Sequence, residues 1–256
     1  MKILMFILIC IMVLGLFSCS GDDPLDQDTD PPARPMLRPH LGDTGDPPVV
    51  WNYQTIELND SNNGIDAVQD GNFIRIPWEP FIDTDVSHLN VFRFSEFEPT
   101  PVLVAGNVPA SSRSYLDQSN TLVERVWYSY FIHLYDGSGN YSVSDTVSYA
   151  FLYKCNLEHP DEGSTVSQVN LKLQWTDYGV NASSFRVLIW NELDELLYTE
   201  TINVHVPVDV YEIPFPNGLP VASGDLIRWR VDAFDQDADI EILMGSESQE
   251  RTFYLE

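Results

Sequence analysis

Residues 127–151 read WYSYFIHLYDGSGNYSVSDTVSYAF, and this stretch decides the fold. Tyr128, Tyr130, Ile132 and Leu134 alternate with Ser129, Phe131, His133 and Tyr135. Successive side chains of a strand point to opposite faces, so the first four form a core-facing row. Asp136, Gly137, Ser138, Gly139 and Asn140 follow. Glycine supplies positive φ without steric cost, and Asp and Asn bond to nearby backbone, so this run is a turn. Residues 141–151 then return as a partner strand.

Working outward, the same grammar recurs. Residues 73–78 place Ile74, Ile76 and Trp78 on one face, and Pro77 suits a strand end or an edge. Residues 88–94 place Leu89 and Val91 inward. Downstream, Val169, Leu171, Leu173 and Trp175 alternate, then Phe185, Val187 and Ile189. Residues 226–234 form a second long strand with Ile227, Trp229, Val231 and Ala233 on one face, and residues 251–255 close the chain. Short alternating strands separated by turn signals predict an all-β sandwich. Trp78 and Trp175 open two units of about a hundred residues each, an ordinary domain size. The expected organisation is a first sandwich over residues 49–154 and a second over 155–256.

The remaining residues read as an address. Lys2 precedes an apolar run over residues 3–17 that is too short to span a bilayer, which needs about 20 residues, and has the layout of a secretory signal peptide. Residues 20–48 contain no Phe, Trp or Tyr but seven prolines and seven aspartates. Such a segment has little apolar surface to bury, so residues 19–48 are expected to form a disordered, acidic, Pro-rich tether.

Charge narrows the partners. The 256 residues carry a formal net charge of −26 and only three lysines, Lys2, Lys154 and Lys172. A surface this acidic repels phosphates, so nucleic acid is excluded as a partner. Cys155 is alone in the folded part, which rules out an internal disulfide and a clustered-cysteine zinc site. Its expected role is to fill space where the two domains join.

Two resemblances add to this reading. Leu16, Phe17, Ser18 and Cys19 resemble the lipobox of bacterial lipoproteins. The resemblance implies cleavage after residue 18, lipidation of Cys19 and attachment to the cell envelope. Ser20 in place of an aspartate favours the outer membrane. Ile76, Trp78, Leu89, Val91, Arg93, Tyr128, Ile132, Leu134, Asp136, Gly139, Asn140 and Ser142 resemble the fibronectin type III family. Tyr128 matches its tyrosine corner, whose hydroxyl bonds to nearby backbone. Trp175, Phe185, Val187, Gly224, Trp229, Val231 and Ala233 resemble it more loosely, with Ile227 at the corner position. The fold implied is two tandem immunoglobulin-like, fibronectin type III β-sandwiches, an architecture that serves many functions.

The sequence holds no phosphate loop, paired-histidine zinc motif or nucleophile elbow, so no catalytic residue is assigned and the chain is not expected to be an enzyme. Two constellations remain. If Leu89, Val91 and the Tyr128 row face the core, then Phe92, Phe94, Trp127, Phe131 and Tyr135 share an outer face, and exposed aromatic patches mark interaction sites. Asp235, Asp237 and Asp239, with Asp232 just before them, offer the oxygen ligands that calcium prefers. The expected function is a lipid-anchored, non-catalytic binding or structural module in adhesion or protein assembly. Carbohydrate capture by the aromatic face, and service as the accessory domains of a secreted hydrolase system, are the alternatives. The expected partners are the membrane, through Cys19, and an envelope protein or glycan.

Overall fold

The computed structural model describes residues 28–58, 73–177, 182–236 and 243–256. The signal peptide, Cys19, Asp237 and Asp239 lie outside these residues. The described chain is all-β. A small hairpin comes first: β1 (Val49–Trp51) and β2 (Gln54–Ile56). Domain 1 follows with β3 (Ile74–Pro77), β4 (Val86–Ser95), β5 (Val102–Pro109), β6 (Ser114–Asp117), β7 (Tyr128–Asp136), β8 (Tyr141–Val143) and β9 (Val147–Tyr149). Domain 2 contains β10 (Asn156–His159), β11 (Ser164–Val166), β12 (Lys172–Thr176), β13 (Ser184–Trp190), β14 (Leu196–Asn203), β15 (Tyr211–Pro214), β16 (Leu226–Gln236), β17 (Leu243–Glu247) and β18 (Arg251–Leu255).

Each domain is a two-sheet sandwich with the same plan. In domain 1, β3 pairs with β6, and the facing sheet runs β5-β4-β7-β8, with β9 also on β7. In domain 2, β10-β12-β15 faces β11-β18-β16-β13-β14, with β17 also on β16. This is the arrangement of immunoglobulin-like and fibronectin type III sandwiches. The cores are the alternating residues read from the sequence. Ile74, Ile76, Leu89, Val91, Tyr130 and Ile132 are fully buried in domain 1, and Leu173, Trp175, Phe185, Val187, Trp229 and Val231 in domain 2. Val169 departs from expectation: it is exposed, because β12 begins only at Lys172.

The corner tyrosine is formed as expected. The Tyr128 hydroxyl accepts the Val123 amide at 2.8 Å and donates to the Thr121 carbonyl at 3.4 Å. Both domains also break their last strand in the same way. The Ser144 amide donates to the Ile132 carbonyl while its hydroxyl accepts the Ile132 amide at 2.9 Å. In domain 2 Ser248 does the same to Val231, again at 2.9 Å from amide to hydroxyl. A serine thus replaces a backbone carbonyl in the ladder, so the bulge between β8 and β9, and between β17 and β18, leaves no buried amide unsatisfied.

The expected tether is corrected by the structure. Residues 33–46 pack onto both domains. Leu37 is 3% exposed and forms an antiparallel bridge with Trp78. Around it the Arg38 amide donates to Pro77 and the Glu79 amide to Met36, so this segment supplies the missing edge of the β3-β6 sheet. Composition fails here because a strand edge needs only free amides and one apolar side chain. Burying Leu37 contributes about 1.5–3 kcal/mol. Domain 1 therefore begins upstream of residue 49, the boundary expected from the sequence.

The domains meet where β9 runs into β10. Phe151 bridges Gly245 in parallel, the Leu152 amide donates to the Gly245 carbonyl, and Ser246 donates to the Tyr153 carbonyl. Cys155 is buried at this junction, and burial pushes its thiol well above the ordinary range, as fits a packing residue.

Candidate binding face

Strands β4 and β7 are paired so that Phe92 lies opposite Phe131, His88 opposite Tyr135 and Asn90 opposite His133. Leu89, Val91, Ile132 and Leu134 turn into the core, so these partners turn outward by strand alternation. The rings then pack into one continuous surface. Phe92 and Phe131 stack with centroids 5.1 Å apart and 7° between planes. His88 and Tyr135 stack at 4.7 Å and 1°. His133 joins the two pairs, 4.6 Å from Phe92 and 5.0 Å from Tyr141 of β8, which it stacks against. Phe94 lies at the end, 6.4 Å from Phe131. Offset and tilted rings at such spacing attract each other beyond simple burial.

All of these rings remain partly accessible, and Tyr141 is 50% exposed. Burial among the rings lowers the pKa of His133, so its imidazole is neutral at pH 7 and can both donate and accept a hydrogen bond.

Phe92, Phe94, Phe131 and Tyr135 lie where the alternation places them. Trp127 does not. Pairing of β7 with β4 ends at Tyr128 opposite Ser95, and Trp127, one residue beyond, packs against the core of domain 2. His88, His133 and Tyr141 complete the face. The return-strand register puts Tyr141 opposite Tyr135, a pairing that only the length of the Asp136–Asn140 turn could have suggested.

The equivalent face of domain 2 is sealed. With Ser248 matched to Ser144, Leu188 stands for Phe92, Arg230 for Phe131, Asp232 for His133 and Phe234 for Tyr135. Leu188 and Arg230 are 0% exposed, Asp232 1% and Glu247 2%. The cover is the N-terminal segment. Arg186 donates to Asp46 at 2.6 Å, Asp43 at 3.2 Å and the Thr44 carbonyl at 3.0 Å, and Gly45 lies against Leu188 and Thr199. Gly45 has φ +90, a conformation that favours glycine, and a side chain there would press on Thr199. Beneath this cover Arg230 bonds both Asp232 and Glu247.

Of the expected calcium ligands Asp235, Asp237 and Asp239, the last two lie outside the described residues, so Asp235 is placed only relative to Asp232. Asp232 and Asp235, three residues apart in a strand, point to opposite faces. Asp232 is held by Arg230, and Asp235 forms an ion pair with Arg125 of domain 1.

No family model matches the chain. No curated protein matches it either. Among solved structures it is similar to the FN1–FN3 domains of chicken CNTN1, at 13% identity and a TM-score of 0.30 over 88% of this chain and 67% of that one. It is also similar to a two-domain fibronectin type III segment from chicken tenascin, at 11% identity and a TM-score of 0.29 over 73% of this chain and 94% of that one. The sandwich assignment rests on the strand order above.

Proposed function

We propose that this chain is a non-catalytic binding module of the bacterial envelope, held to the membrane by lipid on Cys19, that presents the aromatic face of domain 1 to a partner in adhesion or envelope assembly. The observation that carries the reading is the asymmetry between the two domains. Both build the same outer sheet. Domain 2 covers its own with residues of the same chain, and domain 1 leaves a row of stacked rings partly accessible. An accessible apolar patch costs solubility, and it persists where something binds it.

The ring geometry favours glycan as the partner. The row of rings offers an apolar surface to the C–H faces of sugars, and His88, His133, Asn90, Tyr135 and Tyr141 set polar atoms beside it. The acidic surface repels anionic ligands, which points to neutral or basic sugars. The test is binding of a soluble form beginning at Ser20 to a panel of neutral, basic and acidic glycans, beside pull-down from envelope extract. Selective glycan binding lost in Phe131→Ala supports capture. Protein capture lost in the same variant supports assembly. Unchanged binding of every partner in Phe131→Ala and Phe92→Ala defeats the assignment of the face. The anchor is tested separately, by fatty-acid labelling that Cys19→Ser removes.

A further inference from the structure

The rings of domain 1 surround a polar centre. Asn90 and His133 lie directly opposite each other, between the Phe92–Phe131 pair and the His88–Tyr135 pair. Around them the face is neutral. From Leu103 of β5, which lies opposite Phe92, to Tyr141 and Val143 of β8, its outward paired residues include no Asp, Glu, Lys or Arg. On a chain of net charge −26, such a face matches a neutral ligand better than a charged one.

Asn90 is held in place by an irregularity of the neighbouring strand. Between the Leu89–Val108 and Val91–Ala105 pairs, this one residue of β4 faces two of β5, Gly106 and Asn107. That is a bulge, a device that re-aims a side chain. Asn107 takes φ +55, which asparagine tolerates, and its amide donates to Asn90 Oδ1 at 2.9 Å. A backbone N–H can only donate, so the Asn90 amide has one orientation and its Nδ2 turns away from Asn107. His133 is fixed by rings from three strands, Phe92, Phe131 and Tyr141.

The serines of the face and His88 bond within the protein. The Ser129 and Ser148 hydroxyls lie 2.8 Å apart, and the Ser87 hydroxyl lies 2.8 Å from His88 Nδ1. Among the described residues, no group bonds the Asn90 Nδ2 or the ring nitrogens of His133. A donor and a neutral imidazole that can accept therefore stand side by side, both partly accessible.

Adjacent hydroxyls of a sugar complement this pair. We infer that Asn90 and His133 set the specificity of the face. Asn90 Nδ2 donates to one hydroxyl oxygen of a neutral sugar, and the next hydroxyl donates to the bare nitrogen of His133, while the surrounding rings cover the C–H groups. This rests on the glycan reading of the same face.

The test uses the neutral oligosaccharide that binds best to the soluble form beginning at Ser20, with synthetic versions of it that each lack one hydroxyl, titrated by calorimetry. In the unaltered protein, removing either of two adjacent hydroxyls should weaken binding about three- to tenfold, the worth of one hydrogen bond. In Asn90→Ala one of these losses should vanish. In His133→Phe, which keeps a ring in the stack, the other should vanish. The inference is overturned if every hydroxyl-deficient version binds as tightly as the parent, or if both losses persist in both variants. The face itself stands in those cases so long as Phe131→Ala still abolishes binding. Binding that Phe131→Ala leaves unchanged would remove the face, and a face that captures protein but no glycan would remove its sugar chemistry; either result overturns the inference as well.

Discussion

At matched positions the two domains place different residues on the same sheet. Phe131 of domain 1 stands where domain 2 has Arg230, His133 where it has Asp232, and Asn90 where it has Arg186. The backbone is nearly indifferent to this exchange, since both sheets keep the same strand order and the same serine bulge. The surroundings are not. Guanidinium and carboxylate groups on a sheet face need partners once water is removed, and the N-terminal segment brings Asp43, Asp46 and the Thr44 carbonyl to meet them. Stacked rings need no such partners and can remain at the surface. The contrast separates a face used to hold the molecule together from one left open.

The cores reverse this pattern. Domain 1 buries Arg93, which donates to Asp117 at 2.8 Å, while the Tyr130 hydroxyl bonds the same carboxylate at 2.9 Å. The matched residues of domain 2 are Ile189 and Trp229, both buried. Burial and Asp117 together hold the Tyr130 phenol far above its usual range, so it remains an O–H donor at any working pH.

The largest effect is expected from breaking a buried pair on either side of this comparison. Arg230→Ala leaves Asp232 and Glu247 buried without their cation and should cost about 3–5 kcal/mol in chemical denaturation. Phe131→Ala, at the matched position, removes a partly exposed ring and should cost no more than about 1.5 kcal/mol. Equal costs at the two positions would mean that the domain 1 face is as structural as its counterpart. Asp117→Ala should likewise cost about 3–5 kcal/mol, because Arg93 then loses its buried partner. Ser144→Ala and Ser248→Ala provide an internal control. Each leaves one buried amide unpaired, so each should cost about 1–3 kcal/mol, and similar values would show that the bulge does the same work in both domains.

Much of the framework was legible in the sequence. The alternation in residues 127–135 and 226–234 fixed which side chains enter the core, and Tyr128 marked its own corner. The aromatic face followed from the same alternation once β4 and β7 were taken as neighbours. Trp127 was misplaced because alternation cannot say where pairing stops. The sealing of domain 2 was not legible, because it depends on residues about 140 positions apart, and composition marked residues 33–46 as too polar to pack. A signal for the shared bulge was present: a Ser-x-Ser triplet, Ser142-Val143-Ser144 and Ser246-Glu247-Ser248, follows each of the two long strands. Its meaning emerges only when both serines are seen bonding the strand beside them.

The smallest effect concerns pH. His133 has a lowered pKa, so its contribution to stability is present above the unfolded value near 6.5 and is lost as the pH falls through the folded value. His133→Gln should flatten that part of the stability profile and shift it by less than about 1 kcal/mol, since the ring is partly solvated.

The central claim is that the open face recognises a partner and the sealed face does not. It is tested most directly by measuring glycan and envelope-protein binding for Phe131→Ala and for Arg186→Ala, each confirmed to be folded. Phe131→Ala should abolish binding of the selected partner, and Arg186→Ala should loosen residues 40–46 while leaving that binding unchanged. Binding that survives Phe131→Ala and is gained or lost on loosening the cover would contradict it, and would place recognition on domain 2.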